Sequence, residues 1–363
     1  VNTWDTLSVP ALPLPLDTYD PCGHGLDPIF VVEGDSIVLA YRDEYCTDEL
    51  GGEGEPTPPV PWLVIGTDTA GAWETALIAT REYRAWSMNL EPDGTLRVSG
   101  TSNVYERSDG QWQVRKPEFG GNPRLLSDPN SGPDYALVWA GSGGIGYGRH
   151  ADGVSELDRL FQCEKQRTWI GPPDFVLSSA GVPHVASLSS RPVPGNWNSD
   201  AYELTLSLSY PRDGAWIHDE VECMIGPPTG FNMPLPPDLE LDADGRAHIC
   251  VTIDVPSEHG FDVVYFTDVG GSWSSEIVGR GSFFSACDLE LDAAGRVHVL
   301  TTDDYLVREG GSWSTIWSFD DDRAASLEVS DDGVVHIVRS GLGLLSNETG
   351  EWAERQLGVG YVP

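Results

Sequence analysis

Four aspartates open apolar, strand-like runs at intervals along this chain: Asp27, Asp174, Asp238 and Asp288. Ser87 and Ser326 stand at the same place in two further runs. Carboxylates gathered at short range repel, and the repulsion is relieved by a raised pKa or by a recruited cation. Oxygen ligands alone suit Ca²⁺ or Mg²⁺, and an added imidazole suits Zn²⁺. His24, just before Asp27, and His259 can supply that imidazole, or act as general base on a cation-bound water. Asp43, Asp254, Asp303 and Asp304 fall at the ends of the strands that follow and are expected at the same opening. An aspartate at a strand start can equally cap a turn by accepting local backbone N–H groups, so the cation and the cap stand as alternatives. Two residues into the same runs come Glu240, Glu290 and Glu328. They read either as lining of that opening or as the solvated face of an alternating strand.

Histidine recurs as well. His184, His248, His298 and His336 each fall three residues after a turn glycine, and Arg97 and Tyr135 hold that place in weaker copies. One histidine per repeat argues for a structural role, since a single catalytic site needs one copy. The expected partner is backbone of the neighbouring repeat.

The elements that must position these residues are themselves repeated. Residues 238–279 read DLELDADGRAHICVTID…DVVYFTDVGGSWSSEIVG, and residues 288–319 read DLELDAAGRVHVLTTDDYLVREGGSWSTIWSF. Residues 326–358 read SLEVSDDGVVHIVRSGLGLLSNETGEWAERQLG. Each copy is an apolar strand, a Gly turn, a strand carrying His, a third strand, and a Gly-Trp turn into a fourth. Four strands in roughly 40–50 residues is the unit of a β-propeller blade. Fainter upstream copies bring the expected count to seven. The chain is therefore expected to be an all-β, single-domain, seven-bladed β-propeller of four-stranded antiparallel blades. The blades fall at about residues 24–80, 81–119, 120–168, 169–226, 227–279, 280–319 and 320–363, after an extended segment at 1–23. Within that segment WDTLSV (4–9) resembles the fourth strands WSTIWS and WSSEIV, and is expected to pair with the last blade as a latch or to pack across a rim. Trp73, Trp112, Trp216, Trp273, Trp313 and Trp352 sit at the Gly-Trp turns, where regular placement points to packing between blades. First strands line a propeller's channel, so the four aspartates would meet at one mouth.

The D-x-x-G-x-x-H-φ and G-S-W patterns, φ being apolar, are those of bacterial secreted propeller proteins, which the chain resembles over about residues 24–358. The resemblance implies the fold and an extracytoplasmic home, and no one activity. Residues 268–273 partly resemble the Asp-box turn of sialidase-type propellers, without the arginine triad and Tyr-Glu pair of that activity. Asn347-Glu348-Thr349 matches the N-glycosylation sequon, a pattern short enough to arise by chance.

Composition narrows the partners. With 57 acidic against 21 basic residues the net charge is −36, which disfavours nucleic acid and anionic membranes. No apolar run is long enough to span a bilayer. The chain starts at Val1 without a signal-peptide pattern, as expected of a mature or trimmed form. Six cysteines form no C-x-x-C, which removes zinc ribbons and thioredoxin-like sites. Their places in the repeat suit the pairs Cys22–Cys46, Cys163–Cys223 and Cys250–Cys287, and such bridges would put the protein in a secreted or periplasmic setting. The alternative is that a cysteine such as Cys250 is only a small apolar core residue.

The longest insertions, 43–61, 190–201, 231–237 and 254–260, collect on one face. They bring Tyr45, Trp62, Trp197, Phe231 and Met233 over the acidic floor, a wall suited to a small ligand with a polar head, or a simple cover for the channel. Three readings remain open. The chain is a module that binds a small molecule, glycan or partner, around a divalent cation (Ca, Mg or Zn) if one is present. It is a metal-dependent hydrolase of esters, lactones or phosphotriesters. Or it is a protein-interaction scaffold. A monomer is expected.

Overall fold

The computed structural model describes residues 5–6, 21–33, 36–45, 50–51, 55–56, 60–69, 72–80, 87–90, 94–100, 103–108, 111–115, 123–127, 135–141, 144–151, 154–161, 169–192, 202–226, 235–255, 260–281, 287–319, 325–330, 332–339 and 343–357. Among them every regular element is a strand, and no helix is long and apolar enough to cross a membrane.

The strands form seven antiparallel meanders in chain order, here called sheets 1 to 7. Sheet 1 runs Pro21–Glu33, Ser36–Tyr45, Val60–Thr69, Ala72–Thr80, with a small ribbon, Leu50–Gly51 and Glu55–Pro56, between its second and third strands. Sheet 2 comprises Ser87–Leu90, Leu96–Ser99, Val104–Ser108 and Gln111–Arg115. Sheet 3 comprises Pro123–Ser127, Tyr135–Gly141, Gly144–Ala151 and Val154–Phe161. Sheet 4 is built on Asp174–Leu177, Pro183–Pro192, Tyr202–Arg212 and Ala215–Gly226. Sheet 5 is Asp238–Leu241, Ala247–Val255, Gly260–Thr267 and Ser274–Gly281. Sheet 6 is Asp288–Leu291, Val297–Leu300, Asp304–Glu309 and Ser312–Ser318. Sheet 7 is Ala325–Val329, Val335–Arg339, Gly343–Ser346 and Ala353–Gln356.

Two expectations need correcting. The sheets are not uniformly four-stranded: among the described residues five have four strands and two have five. In sheet 4 the extra strand is Trp169–Ile170, paired with Ser189 and Ser190 beyond the short first strand. In sheet 2 it is Asp5–Thr6, aligned with Val114 and Gln113. The N-terminal strand thus completes the outer edge of sheet 2, and sheet 7 keeps four strands of its own. An exposed edge of unpaired N–H and C=O groups is what draws an extended segment in.

The chain divides into two compact units, one of residues 1–118, 324–328 and 335–363, the other of residues 119–323 and 329–334. In the first unit the alternation of a single strand explains the packing. Ile37, Leu39 and Tyr41 face Val338, Leu344 and Leu357 of the last sheet and its following residue, while Val38 and Ala40 face Leu96, Val98, Tyr105 and Trp112 of sheet 2. A period of two places successive side chains on opposite faces, so one strand feeds two cores. In the second unit the same rule holds. Val185 packs toward sheet 3, and Ala186 and Leu188 toward Leu239, Ile249 and Val251 of sheet 5. Cys250, Val263 and Tyr265 then pack toward Leu289, Val297 and Val299 of sheet 6. Each fully buried aliphatic side chain contributes about 1.5–3 kcal/mol.

Four of the tryptophans at the Gly-Trp turns serve these interfaces. Trp112 is in the core between sheets 1 and 2, Trp216 stacks obliquely on Tyr147 of sheet 3, and Trp273 packs on the sheet 4–5 core. Trp313 meets Tyr265 edge-on at 5.3 Å and donates its indole N–H to Glu276 at 2.9 Å.

Candidate functional site

In sheets 5 and 6 a D-x-x-G turn joins the first strand to the second. In sheet 5 the Asp242 carbonyl accepts the Gly245 N–H at 2.8 Å, and its Oδ1 accepts the N–H groups of Asp244 and Arg246, both at 2.9 Å. Gly245 has φ 76°, a left-handed conformation that a side chain resists. Asp292 and Gly295 repeat the turn in sheet 6.

His184, His248 and His298 do not take backbone of the neighbouring sheet as their partner, which was the expectation. In sheets 5 and 6 their partners are tyrosines of their own sheet. Tyr265 and Tyr305 hydroxyls lie 2.6 Å from Nδ1 of His248 and His298. On the other side of the His298 ring, Nε2 is 3.3 Å from Asp292 Oδ2, and His248 Nε2 is 3.8 Å from Asp242 Oδ2. A carboxylate beside Nε2 favours the tautomer with the proton there, so the tyrosine hydroxyl donates to Nδ1. Burial lowers the pKa of both histidines and the aspartates only partly oppose it. Burial would raise Asp292, yet the Arg296 backbone N–H, its guanidinium and His298 outweigh it and hold the carboxyl low. His184 instead contacts the Val182 carbonyl and stacks on Tyr210. In sheet 2, Arg97 takes the histidine's place and pairs with Glu106 at 2.8 Å. These are locks inside single sheets, and the tyrosines and turn aspartates are partners that the sequence reading missed. The six-residue spacing from Asp242 to His248 and from Asp292 to His298 was the available signal.

The inner carboxylates are another matter. Asp174, Asp238 and Asp288 each open the first strand of their sheet, and the first strands of sheets 3, 4, 5 and 6 lie beside one another in succession. Asp174 Oδ2 accepts the N–H of Leu239, one sheet on, at 2.8 Å. Asp238 Oδ2 accepts the N–H of Leu289, again one sheet on, at 2.6 Å. For these two the cap is realised across sheets rather than within a turn. Ionised acceptors on backbone amides form the stronger class of hydrogen bond. Glu240 sits among them. It keeps a little solvent contact, yet protein surrounds it, and burial first, then the charges of Asp238, Asp174 and Asp288, raise its carboxyl well above the ordinary range. A disulfide between Cys250 and Cys287, with Cα atoms 6.2 Å apart, ties sheets 5 and 6 beside this group, since Cys250 pairs with Asp238 and Cys287 precedes Asp288. In the first unit Glu328 accepts the Val32 N–H, and burial raises it to about 7.

Other expected residues stand as follows. Asp27 and His24 lie inside the strand Pro21–Glu33 and so do not open it. Cys22 lies inside that strand too, and Cys223 inside Ala215–Gly226. Tyr45 ends a strand and Trp62 lies in one. Asp43 and Asp254 fall inside the second strands of sheets 1 and 5. The side chains of all eight residues lie outside the described ones, as do His259, Trp197, Phe231, Met233, Cys46 and Cys163 altogether. Asp304 takes a hydrogen bond from Ser318 at 2.6 Å. Among the described residues no three His, Cys, Asp or Glu side chains are placed to hold a metal ion.

No protein-family model matches the chain, and no curated protein does. Solved structures resemble it at low identity. The polysaccharide lyase Uly1 is 11% identical over 95% of this chain and 94% of that one, with TM-score 0.50. The α-L-arabinofuranosidase Arb93A of Fusarium graminearum is 12% identical over 93% and 91%, at 0.45. The α-L-arabinanase of Penicillium chrysogenum is 11% identical over 93% of each, at 0.43. At such identities a likeness concerns fold alone, and the two lower scores carry no argument. Together with its four-stranded meanders, the chain is a β-propeller in fold.

Proposed function

We propose that this protein is an extracytoplasmic propeller, its seven sheets being the blades, that binds a small hydroxyl-rich molecule or glycan on the carboxyl floor of sheets 4 to 6. The observation that carries the reading is Glu240. A carboxyl whose pKa is raised by burial and by three neighbouring carboxyls holds its proton more readily, and the protonated form is a hydrogen-bond donor beside acceptors. That pairing suits vicinal hydroxyls, each of which donates once and accepts twice. It suits a bare cation less, because two of the aspartates already spend an oxygen on backbone amides. The cation reading rests on Asp27 together with Asp174, Asp238 and Asp288, the hydrolase reading adds His24 or His259 as base, and no observation favours either over the saccharide reading. The partner is taken to be a glycan or other small molecule acting on a monomer.

Titration calorimetry with neutral mono- and disaccharides, arabinobiose among them, in the presence of EDTA tests the proposal. Saturable binding is expected to survive EDTA and Glu240→Gln, and to weaken about tenfold in Glu240→Ala, the cost of one lost hydrogen bond. Absence of binding to every saccharide, or wild-type affinity in Glu240→Ala, overturns it. Binding abolished by EDTA hands the site to the cation reading.

A further inference from the structure

The turn between the third and fourth strands has the same design in sheets 5 and 7. In sheet 5 Asp268 Oδ1 accepts the Ala247 N–H at 2.8 Å, its carbonyl accepts the Gly271 N–H at 2.7 Å, and Thr267 Oγ1 accepts the Val269 N–H at 3.3 Å. In sheet 7 Asn347 Oδ1 accepts the Val335 N–H at 2.7 Å, its carbonyl accepts the Gly350 N–H at 2.7 Å, and Ser346 Oγ accepts the Glu348 N–H at 3.2 Å. Gly271 and Gly350 have φ of 76° and 82°. The turn therefore needs one side-chain oxygen, which a carboxylate supplies in sheet 5. At position 347 the oxygen comes with an amide nitrogen that the turn does not use. Val335 fixes which atom is Oδ1, and among the described residues Nδ2 makes no hydrogen bond.

That surplus nitrogen belongs to Asn347-Glu348-Thr349, the single N-x-S/T sequence of the chain. Residues 348–351 are exposed. Thr349 Oγ1 bonds only locally, donating to the Glu351 carbonyl at 3.3 Å. The Cys250–Cys287 disulfide is of the kind formed in the oxidising compartments where glycans are attached.

We infer that Asn347 is a glycan-acceptor site, modified at Nδ2 while its Oδ1 continues to hold the turn. The co-substrate is an oligosaccharide linked to a polyprenyl pyrophosphate. The Nδ2–C1 bond forms as the bond from C1 to the pyrophosphate oxygen breaks, the amide proton passes to a base of the transferase, and the lipid pyrophosphate leaves. The glycan would stand at the hairpin tip, and the inference does not depend on the ligand proposed above.

The test is intact-mass measurement of the full chain expressed through a eukaryotic secretory lumen, before and after enzymatic removal of N-glycans. Wild type is expected to carry one glycan. Asn347→Asp, which keeps the oxygen as Asp268 does, and Thr349→Ala should carry none and melt within a degree or two of the deglycosylated wild type. A control builds the same sequon on the sheet 5 turn by Asp268→Asn with Gly270→Thr, a position where an added Cβ meets nothing within 4 Å. This double variant should carry two glycans. Wild type unmodified, whether or not the sheet 5 sequon is used, overturns the inference, as does a glycan that persists in Asn347→Asp.

Discussion

Asp238 fastens two sheets with one oxygen, and a single substitution measures what that is worth. Asp238→Ala leaves the buried Leu289 N–H without its acceptor, which should lower unfolding free energy by about 1–3 kcal/mol in denaturant titration. Asp238→Asn keeps an oxygen and should cost less. Loss equal in both variants would mean that the carboxylate is not the fastener. His248 and His298 make a prediction with the opposite chemistry. Their folded pKa values lie below the ordinary value of 6.5, so the unfolded chain takes up protons first as pH falls. The stability they permit is complete above 6.5 and lost on acidification, and denaturant midpoints should fall over that window. Glu328 runs the other way. Its folded carboxyl titrates near 7 against an ordinary 4.5, so its contribution is complete below 4.5 and lost as pH rises through 7. Glu328→Gln should match wild type near pH 4 and exceed it at pH 8; equal stability at pH 8 would remove the buried-carboxyl account.

The strands themselves explain the exposed isoleucines. In sheets 1, 3, 4, 5 and 6 the pairing of third and fourth strands slips by one residue, as at Val263/Val264 and Tyr305/Leu306. Such a bulge twists an edge strand and discourages pairing with another chain. Ile277, 69% exposed, and Ile316 lie at these slips. Close approach is the other requirement of this edge. A Cβ on Gly279 would come within 2.9 Å of Thr301 Cγ2. Gly279→Ala should therefore cost about 1–3 kcal/mol, and adding Thr301→Ser, which removes that methyl and keeps the hydroxyl bonded to Asp304, should restore most of it. A double variant no more stable than Gly279→Ala would put the strain elsewhere. Strand order was legible wherever the turn glycine and the alternation were intact, as in sheets 5 to 7. The N-terminal strand was legible in residues 4–9 but its partner was not, and Trp169–Ile170 was missed, since two-residue pairings carry no period to read.

Over several sheets, the sequence marked the right positions and left their roles open. Recurrence placed Asp174, Asp238 and Asp288 at strand starts, but an aspartate that binds a cation and one that binds the next sheet's amide have the same sequence. Glu240 was visible only as one member of an alternating series, because its burial is made by neighbouring sheets and not by its own strand. The Cys250–Cys287 bridge was legible from the repeat, and removing it by Cys250→Ser with Cys287→Ser should cost about 2–4 kcal/mol. Unchanged stability would mean that sheets 5 and 6 are held without it. The charge state of Glu240 reads three sheets at once, since Asp174, Asp238 and Asp288 come from sheets 4, 5 and 6. A carboxyl-carbon NMR titration of the native chain, with Glu240 assigned by Glu240→Gln, is the most direct test. The account predicts a midpoint well above the ordinary glutamate value of 4.5, moving down in Asp238→Asn. A midpoint in the ordinary range, indifferent to Asp238, would contradict it.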